Sequence, residues 1–570
     1  MFLDMKSFSI SETVLEVLNQ VQASHAATGS RKLLWIDQIC INQDDQNEKL
    51  EQIYRMGEIY SKADKVFIWL GPTANESDLA LENMERMLSE VAALNDAAAI
   101  RADVPDDTAT IINEDHGQLY GHLFMRPWFR RLWTVQEALL ARKLVVMCGY
   151  REVNFELLVE LADQILTYGS FDLIQYPGAS DQEIRTAIAG IVNLHTLRRR
   201  YASEGGMLQG LGIGSFRGLV TVSHSRQVTM APDRIHALMG IAPRQVRAYM
   251  ASIQSSQPNQ SVWELYTQFA KCMLENDPEW YFLSSAPSND RPRELPTWVP
   301  NFNSRQPFAS TFTEAFCGFS AGISPETRHL IKRTITIQEL IAQGFRLDTV
   351  SEIIPQTAFR EDNHNTRHHN VYGDAAREWE LECTRLCQKV YNLDPEQFPR
   401  FHLNVLLAQS AAKPAMDGRA LDGYRMFWEA CRLRGETLRL INHEGIPIPE
   451  RFRHLPDAID RFADHAVKCW RNGLPVEKYA LLLEFAGTMK SMCAGRPYIS
   501  TSTGLLGLGC PGIQAGDVIC IIYGTSVPYV LRPRPDGAMT FVGDAYIYNA
   551  MNGEALISAE KRQDEIIRIR

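Results

Sequence analysis

Leu34-Trp35-Ile36-Asp37-Gln38-Ile39-Cys40-Ile41-Asn42-Gln43 is the stretch on which the reading of this chain turns. A short apolar run that ends in an aspartate and opens into a polar loop predicts a buried strand over Lys32–Ile36, delivering Asp37 to the rim of an α/β sheet. Upstream, Val14, Leu15, Val17, Leu18 and Val21 recur at helical spacing behind Ser11, a suitable N-cap. Downstream, Asp45 with Glu48 forms a capping-box-like start. Leu50, Ile53, Tyr54, Met56, Ile59 and Tyr60 then make one apolar stripe along a helix. Val66-Phe67-Ile68-Trp69-Leu70 reads as a second buried strand, closed by Gly71-Pro72.

From Thr73 to about Met125 the sequence reads as an insertion, its first half one helix and Asp103 to Asp107 an exposed loop. Arg126-Pro127-Trp128-Phe129-Arg130-Arg131-Leu132-Trp133-Thr134-Val135-Gln136-Glu137 follows, predicting one helix from Trp128 to Arg142 that leads into a third strand, Leu144–Cys148. Short apolar strands separated by amphipathic helices imply parallel pairing and a βαβ layout. Beyond 150 the pattern is mainly helical, with helices expected at Ile191–Tyr201 and Val262–Glu275. Two prolines break it at 295–302, and strand-like alternation returns at 331–350. Residues 374–490 are helical again. After a glycine-rich stretch, Gly504 to Gly516, β-branched runs at 517–523, 527–532, 539–543 and 545–549 alternate with Gly-Thr and Pro-Asp-Gly turns, as in a small antiparallel sheet or barrel. The expected organisation is an α/β domain over 1–150, a mainly helical region over 151–490 with a short β segment near 331–350, and a C-terminal antiparallel β module over 491–570.

Composition narrows the function classes. Among 570 residues, 45% hydrophobic and 22% charged are values of a globular protein, and a net charge of −10 spread along the chain gives no reason to expect nucleic acid as a partner. The eleven cysteines include no C-x-x-C pair. Cys383 and Cys387 stand four apart without a second pair of ligands, so reduced thiols in the cytoplasm are expected and no metal. The N-terminus lacks a basic region followed by an apolar core, and no stretch approaches the roughly 18 apolar residues of a membrane span.

Several blocks together resemble the fungal heterokaryon incompatibility (HET) domain. They are Trp35-Ile36-Asp37-Gln38-Ile39-Cys40-Ile41-Asn42-Gln43, Gln52-Ile53-Tyr54-Arg55-Met56, Ile59-Tyr60-Ser61-Lys62-Ala63, Val66–Gly71, and Arg126-Pro127-Trp128-Phe129 with Arg131, Trp133, Gln136 and Glu137. Looser similarity to larger members extends through Asp233–Gly240, Leu295–Pro300, Gly516-Asp517, Val527–Arg532 and Met551–Glu554. Members typically open with a strand carrying Y-x-A-L-S-Y-x-W-G. This sequence starts after that point, so either a domain lacking its usual first strand or a truncated sequence is expected, with an unpaired sheet edge or an uncovered core face. The resemblance implies fungal self/non-self recognition and a cell-death signalling effector, with protein partners of the incompatibility response and self-association. The HET domain is in turn distantly similar to Toll/interleukin-1 receptor (TIR) domains, some of which cleave NAD. That link implies a TIR-like parallel sheet with flanking helices and makes NAD a substrate rather than a resident cofactor.

Within this frame Glu137 is the candidate catalytic residue. Its helical neighbours at three and four residues are Trp133, Thr134, Leu140 and Ala141, so no base is placed for a routine helical ion pair. A carboxylate beside an aromatic plane suits N-glycosidic cleavage: the ring stacks on a base while the carboxylate stabilises an oxocarbenium-like sugar. The plainer reading is a partly buried glutamate bonded to backbone or to Arg130 or Arg131. Asp37, Asn42, Gln43 and Trp133 are the candidate substrate-binding residues, the amides reading a ribose or base edge. Equally, Asp37 and Asn42 would fasten the loop through backbone hydrogen bonds. Trp35 and Trp69 are expected in the core. His364, His368 and His369 lie in a polar stretch without an H-E-x-x-H glutamate and read as an exposed loop. Gly210, Gly212 and Gly214 lack the dinucleotide fingerprint and read as a flexible loop. No G-K-[ST] phosphate loop occurs. A non-enzymatic module that signals by assembly is the alternative function.

Overall fold

The computed structural model describes residues 2–3, 6–7, 9–28, 33–77, 79–84, 86, 88–89, 114–168, 174, 176–179, 181–204, 211–257, 260–287, 290–304, 319–356, 374–391, 398–408, 419–444, 463, 466–467, 469–470, 473–557 and 563–570. Asp103 to Asp107, Gly210 and the three histidines at 364, 368 and 369 lie outside them. The chain forms two compact units, Met1–Val262 and Trp263–Arg570.

In the first unit, local signals set the first helices. α1, Glu12–Thr28, begins where the Ser11 hydroxyl accepts the amide of Val14, the N-cap bond that its sequence predicts. α2 is a single turn, Asp37–Cys40, and α3, Gln46–Lys62, starts where the Asp45 carboxylate accepts the amide of Glu48. The Glu48 carboxylate reaches back to the amide of Asn42 rather than to Asp45, so the capping box also ties down the preceding loop. Strand β1, Val66–Trp69, pairs parallel with β2, Leu144–Cys148, as the βαβ reading requires. All five residues of β2 are buried, consistent with a strand covered on both faces. β3, Arg151–Asn154, completes the sheet in antiparallel pairing with β2, in the order β1-β2-β3.

The strand expected over Lys32–Ile36 is not formed: residues 33–36 have no sheet partner, and Asp37 starts α2 instead. Leu33 and Leu34 are exposed, so no neighbouring strand covers that run. The helix expected from Trp128 to Arg142 is also corrected. It is broken into α4, Pro127–Arg130, and α5, Trp133–Leu140, with Arg131 extended between them. Arg131 forms a parallel bridge with Gln227; the Gln227 amide donates to Arg130 O at 2.6 Å and its carbonyl accepts the Leu132 amide at 2.9 Å. Those backbone bonds occupy groups that a continuous helix would have used internally. Behind the sheet follow α6, Phe155–Tyr168, α7, Asp181–Ser203, and α8, Ile213–Ser223, with α7 against both α5 and α6. The loop expected at Gly212 and Gly214 is instead the start of α8. Glu204 accepts the Gly212 amide and the Ser215 hydroxyl, both at 2.7 Å, placing a carboxylate on the helix N-terminus.

The second unit is built on one long strand. β5, Leu340–Ile354, pairs with β4, Arg333–Ile335, and with β6, Tyr498–Thr501, β8, Val518–Ile522, and β12, Glu565–Ile569, all antiparallel. β7, Leu506–Leu508, β9, Tyr529–Pro533, β10, Met539–Asp544, and β11, Tyr546–Ile547, complete a nine-stranded sheet, so the β segment near 331–350 and the C-terminal runs are one structure. Val350, Ile499, Ile519, Val530 and Ile547 form its core. Each such side chain contributes roughly 1.5–3 kcal/mol by leaving water. Helices Asp374–Tyr391, Phe398–Leu406, Arg419–Glu444 and Val476–Cys493 make the helical part. The described cysteines, Cys383 and Cys387 included, are free thiols. Among the described residues no helix is long and apolar enough to cross a membrane, and no group of three or more His, Cys, Asp or Glu side chains could hold a metal.

Candidate functional site

The break between α4 and α5 lets the chain double back, so Trp128 lies near Glu137. The Trp128 indole donates to Glu137 Oε2 at 3.2 Å, a contact that a straight helix would not make nine residues apart. Trp128 itself is buried, edge-on to Phe129 and Phe155. Burial raises the Glu137 pKa above the ordinary glutamate value; the Trp128 bond and the charge of Arg131 pull it back, and the charge of Asp37 pushes it up again. Asp37 is therefore within electrostatic reach of Glu137. Tyr60 belongs to the same group. Its hydroxyl is held neutral by burial and by the charges of Glu137 and Asp37, and its ring meets Trp35 edge-on at 5.7 Å.

Asp37 is exposed, its carboxylate accepting only the next backbone amide, that of Gln38, at 2.7 Å. Asn42 and Gln43 fasten the loop: Asn42 Oδ1 accepts the Asp44 amide, and Gln43 Nε2 donates to the Asp37 carbonyl at 3.1 Å. Trp133 donates its indole N–H to Asp233 at 3.1 Å. Asn42, Gln43 and Trp133 thus have polar atoms engaged within the fold, while the charge of Asp37 reaches Glu137. Trp35 and Trp69 are half-buried rather than fully enclosed.

Sequence reasoning missed what ties these segments together. Arg126 donates to the carbonyls of Leu70, Pro72 and Ala74, locking the turn after β1 to the start of α4. Gly71 permits this, having φ of 110° and a position where a side chain would stand 2.9 Å from the guanidinium. Gln136 Oε1 accepts the Gly240 amide at 3.3 Å, and a Cβ on Gly57 would lie 2.9 Å from the Gly240 backbone, so α3, α5 and the 233–240 segment meet without room for side chains. Arg131, Tyr60 and Trp128 therefore join Asp37 and Glu137 as residues of the site. The signal available was the block order itself, because Asp233–Gly240 is quoted above as a looser similarity.

Residues 1–137 match the family described as heterokaryon incompatibility protein (HET), and residues 464–567 match the Het-6 beta-barrel domain. The chain carries a HET domain and a Het-6 barrel domain. It is 24% identical to heterokaryon incompatibility protein 6, OR allele, of Neurospora crassa, across 93% of this chain and 82% of that protein. No solved structure matches it. Both matches are to domains of heterokaryon incompatibility proteins. The HET match ends at Glu137, so every candidate residue lies inside it.

Proposed function

We propose that this protein is a cytoplasmic effector of the fungal incompatibility response, whose HET domain cleaves NAD at a TIR-like carboxyl site and so promotes cell death. The observation that supports the reading is a half-buried carboxyl, Glu137, held by the Trp128 indole at 3.2 Å, with the charge of the exposed Asp37 acting on it. Carboxyl pairs whose environments differ in this way divide stabilising and proton-transfer roles. In the proposed reaction the bond between nicotinamide nitrogen and ribose breaks, its electron pair leaving with nicotinamide. Ionised Glu137 stabilises the positive sugar, and water adds to the anomeric carbon while its proton passes to Asp37 and on to solvent. Arg131 holds Glu137 toward its ionised form.

Purified protein incubated with NAD is expected to release nicotinamide. Glu137→Gln is expected to lower turnover roughly 100-fold, the usual loss of a positioned acid–base or charge-stabilising group. NAD that persists at high protein concentration, or turnover unaltered by the substitution, removes this reading. One observation favours a second, non-enzymatic reading: Asn42, Gln43 and Trp133 hydrogen-bond within the fold, leaving a firm rim suited to a protein partner or a second copy. Wild-type and Glu137→Gln proteins that assemble and trigger the response equally would support that alternative.

A further inference from the structure

A cavity of about 570 Å³ lies between α7, α8 and the segment that precedes α5, away from the Asp37 loop in its lining. Its apolar wall includes Phe129, Leu194 and Leu219, and Arg226 closes one side. The partners of Arg226, a half-buried cation, are unusual. Nη1 donates to Phe129 O at 2.9 Å, Arg131 O at 3.3 Å and Thr134 Oγ1 at 3.4 Å, and Nη2 reaches Gly190 O at 3.5 Å. All four are neutral, and among the described residues no carboxylate pairs with it. A second polar group also faces the cavity without a partner: Ser223, 3% exposed, has a buried hydroxyl with no hydrogen bond among the described residues. The other charged lining residues are Arg130, Arg185 and Glu183, so cations outnumber anions three to one.

We propose that this cavity binds a small amphipathic monoanion, its carboxylate-type head on Arg226 and Ser223 and its apolar body along Phe129, Leu194 and Leu219. One positive charge matches one negative head, and the weakly engaged Nη2 edge offers a donor in the planar geometry that oxyanions prefer. The volume falls in the range of small-molecule sites, roughly 300–1,000 Å³. The burial that pushes the Arg226 pKa down to about 10 disfavours its charge, and an anionic ligand would restore it. Because Arg226 also holds Phe129, Arg131 and Thr134, the occupant would act on the turn that carries Arg131 toward Glu137.

Calorimetric titration of the full chain with decanoate tests this, beside decanol and inorganic phosphate. Expected is one site for decanoate, with decanol at least ~10-fold weaker, about the discrimination of a charge-assisted hydrogen bond, and phosphate weaker still. Since Arg226 variants perturb the turn, Ala189→Trp is the second arm: it fills the cavity from α7 and is expected to abolish decanoate binding, and Ser223→Ala to weaken it several-fold. Equal affinity for decanoate and decanol overturns the anion assignment, phosphate binding as tightly as decanoate overturns the apolar part, and unchanged binding to a folded Ala189→Trp protein overturns the site.

Discussion

Arg226 in the first unit is half-buried and Arg496 in the second fully buried, and their partners differ in kind. Arg496 donates to Asp544 at 2.6 Å with both side chains 2% exposed, while Arg226 meets only carbonyls and a hydroxyl. The contrast is one of sites rather than of whole units, since Arg291 and Arg333 of the second unit also donate to backbone carbonyls. In the second unit Asp517 accepts two bonds from Arg532, and buried Glu380 meets His402, Tyr424 and Thr384. In the first unit Arg126 and Arg198 hold backbone carbonyls, and Glu137 meets an indole. Pairing opposite charges fixes a fold and leaves little potential outside it. Holding a charge by neutral dipoles fixes the backbone and leaves the charge able to act on something else. The Arg496–Asp544 pair therefore reads as scaffold, whereas Arg226, held by neutral groups, keeps a charge that can act on a ligand.

The largest effect should come from breaking the compensated pair. Arg496→Met leaves Asp544 buried without its cation and is expected to cost roughly 3–5 kcal/mol, read as lost hydrogen-exchange protection in strands β6 to β10. Adding Asp544→Leu should recover much of that loss, because removing both charges removes the uncompensated one. A double variant as unstable as the single one would contradict the account. Arg226→Met, by contrast, strands neutral acceptors rather than a charge. It should cost less, roughly 1–3 kcal/mol, and expose the amides of 130–134 and 227 first. Equal losses at the two arginines would erase the distinction between the two sites.

Gly57→Ala sharpens the comparison within the first unit. Its new Cβ would meet the Gly240 backbone at 2.9 Å, and backbone gives way less easily than a side chain. The expected loss is roughly 1–2 kcal/mol by chemical denaturation, with α3 separating from the 233–240 segment. An unchanged midpoint would mean that this junction is loose.

What could be read in the sequence was what local chemistry decides. Ser11 and Asp45 announce their helices because a cap acts within three residues, and β1 and β2 are compact apolar runs whose burial does not depend on distant detail. The Lys32–Ile36 run has the same composition but lacks a neighbouring strand, which composition cannot reveal. The break at Arg131 was illegible for the same reason: its cause is a bridge to Gln227 and bonds from Arg226, and nothing in Ser225-Arg226-Gln227 marks them. Asp37 and Glu137 could be named from their types and positions, whereas Trp128 and Tyr60 look like ordinary core aromatics until the doubled-back turn places them beside the carboxyls.

The smallest expected stability effect, below about 1 kcal/mol, is that of Glu137→Gln, and its pH dependence says most about the site. The folded-state pKa of Glu137 is raised above its unfolded value of 4.5 by burial and by Asp37. Below that value the group is protonated in both states and contributes no difference. As pH rises past 4.5 the unfolded chain releases the proton while the folded protein retains it, so stability falls until the folded group also ionises. The Gln variant has no such proton and still accepts the Trp128 indole. Its stability relative to wild type should therefore grow across that window and then level off, measured by urea denaturation at a series of pH values. If ionised Glu137 is what cleaves NAD, turnover must rise over the same window in which stability declines. A flat stability difference would show that the carboxyl is open to water, and activity that falls as Glu137 ionises would assign it the acid's role instead.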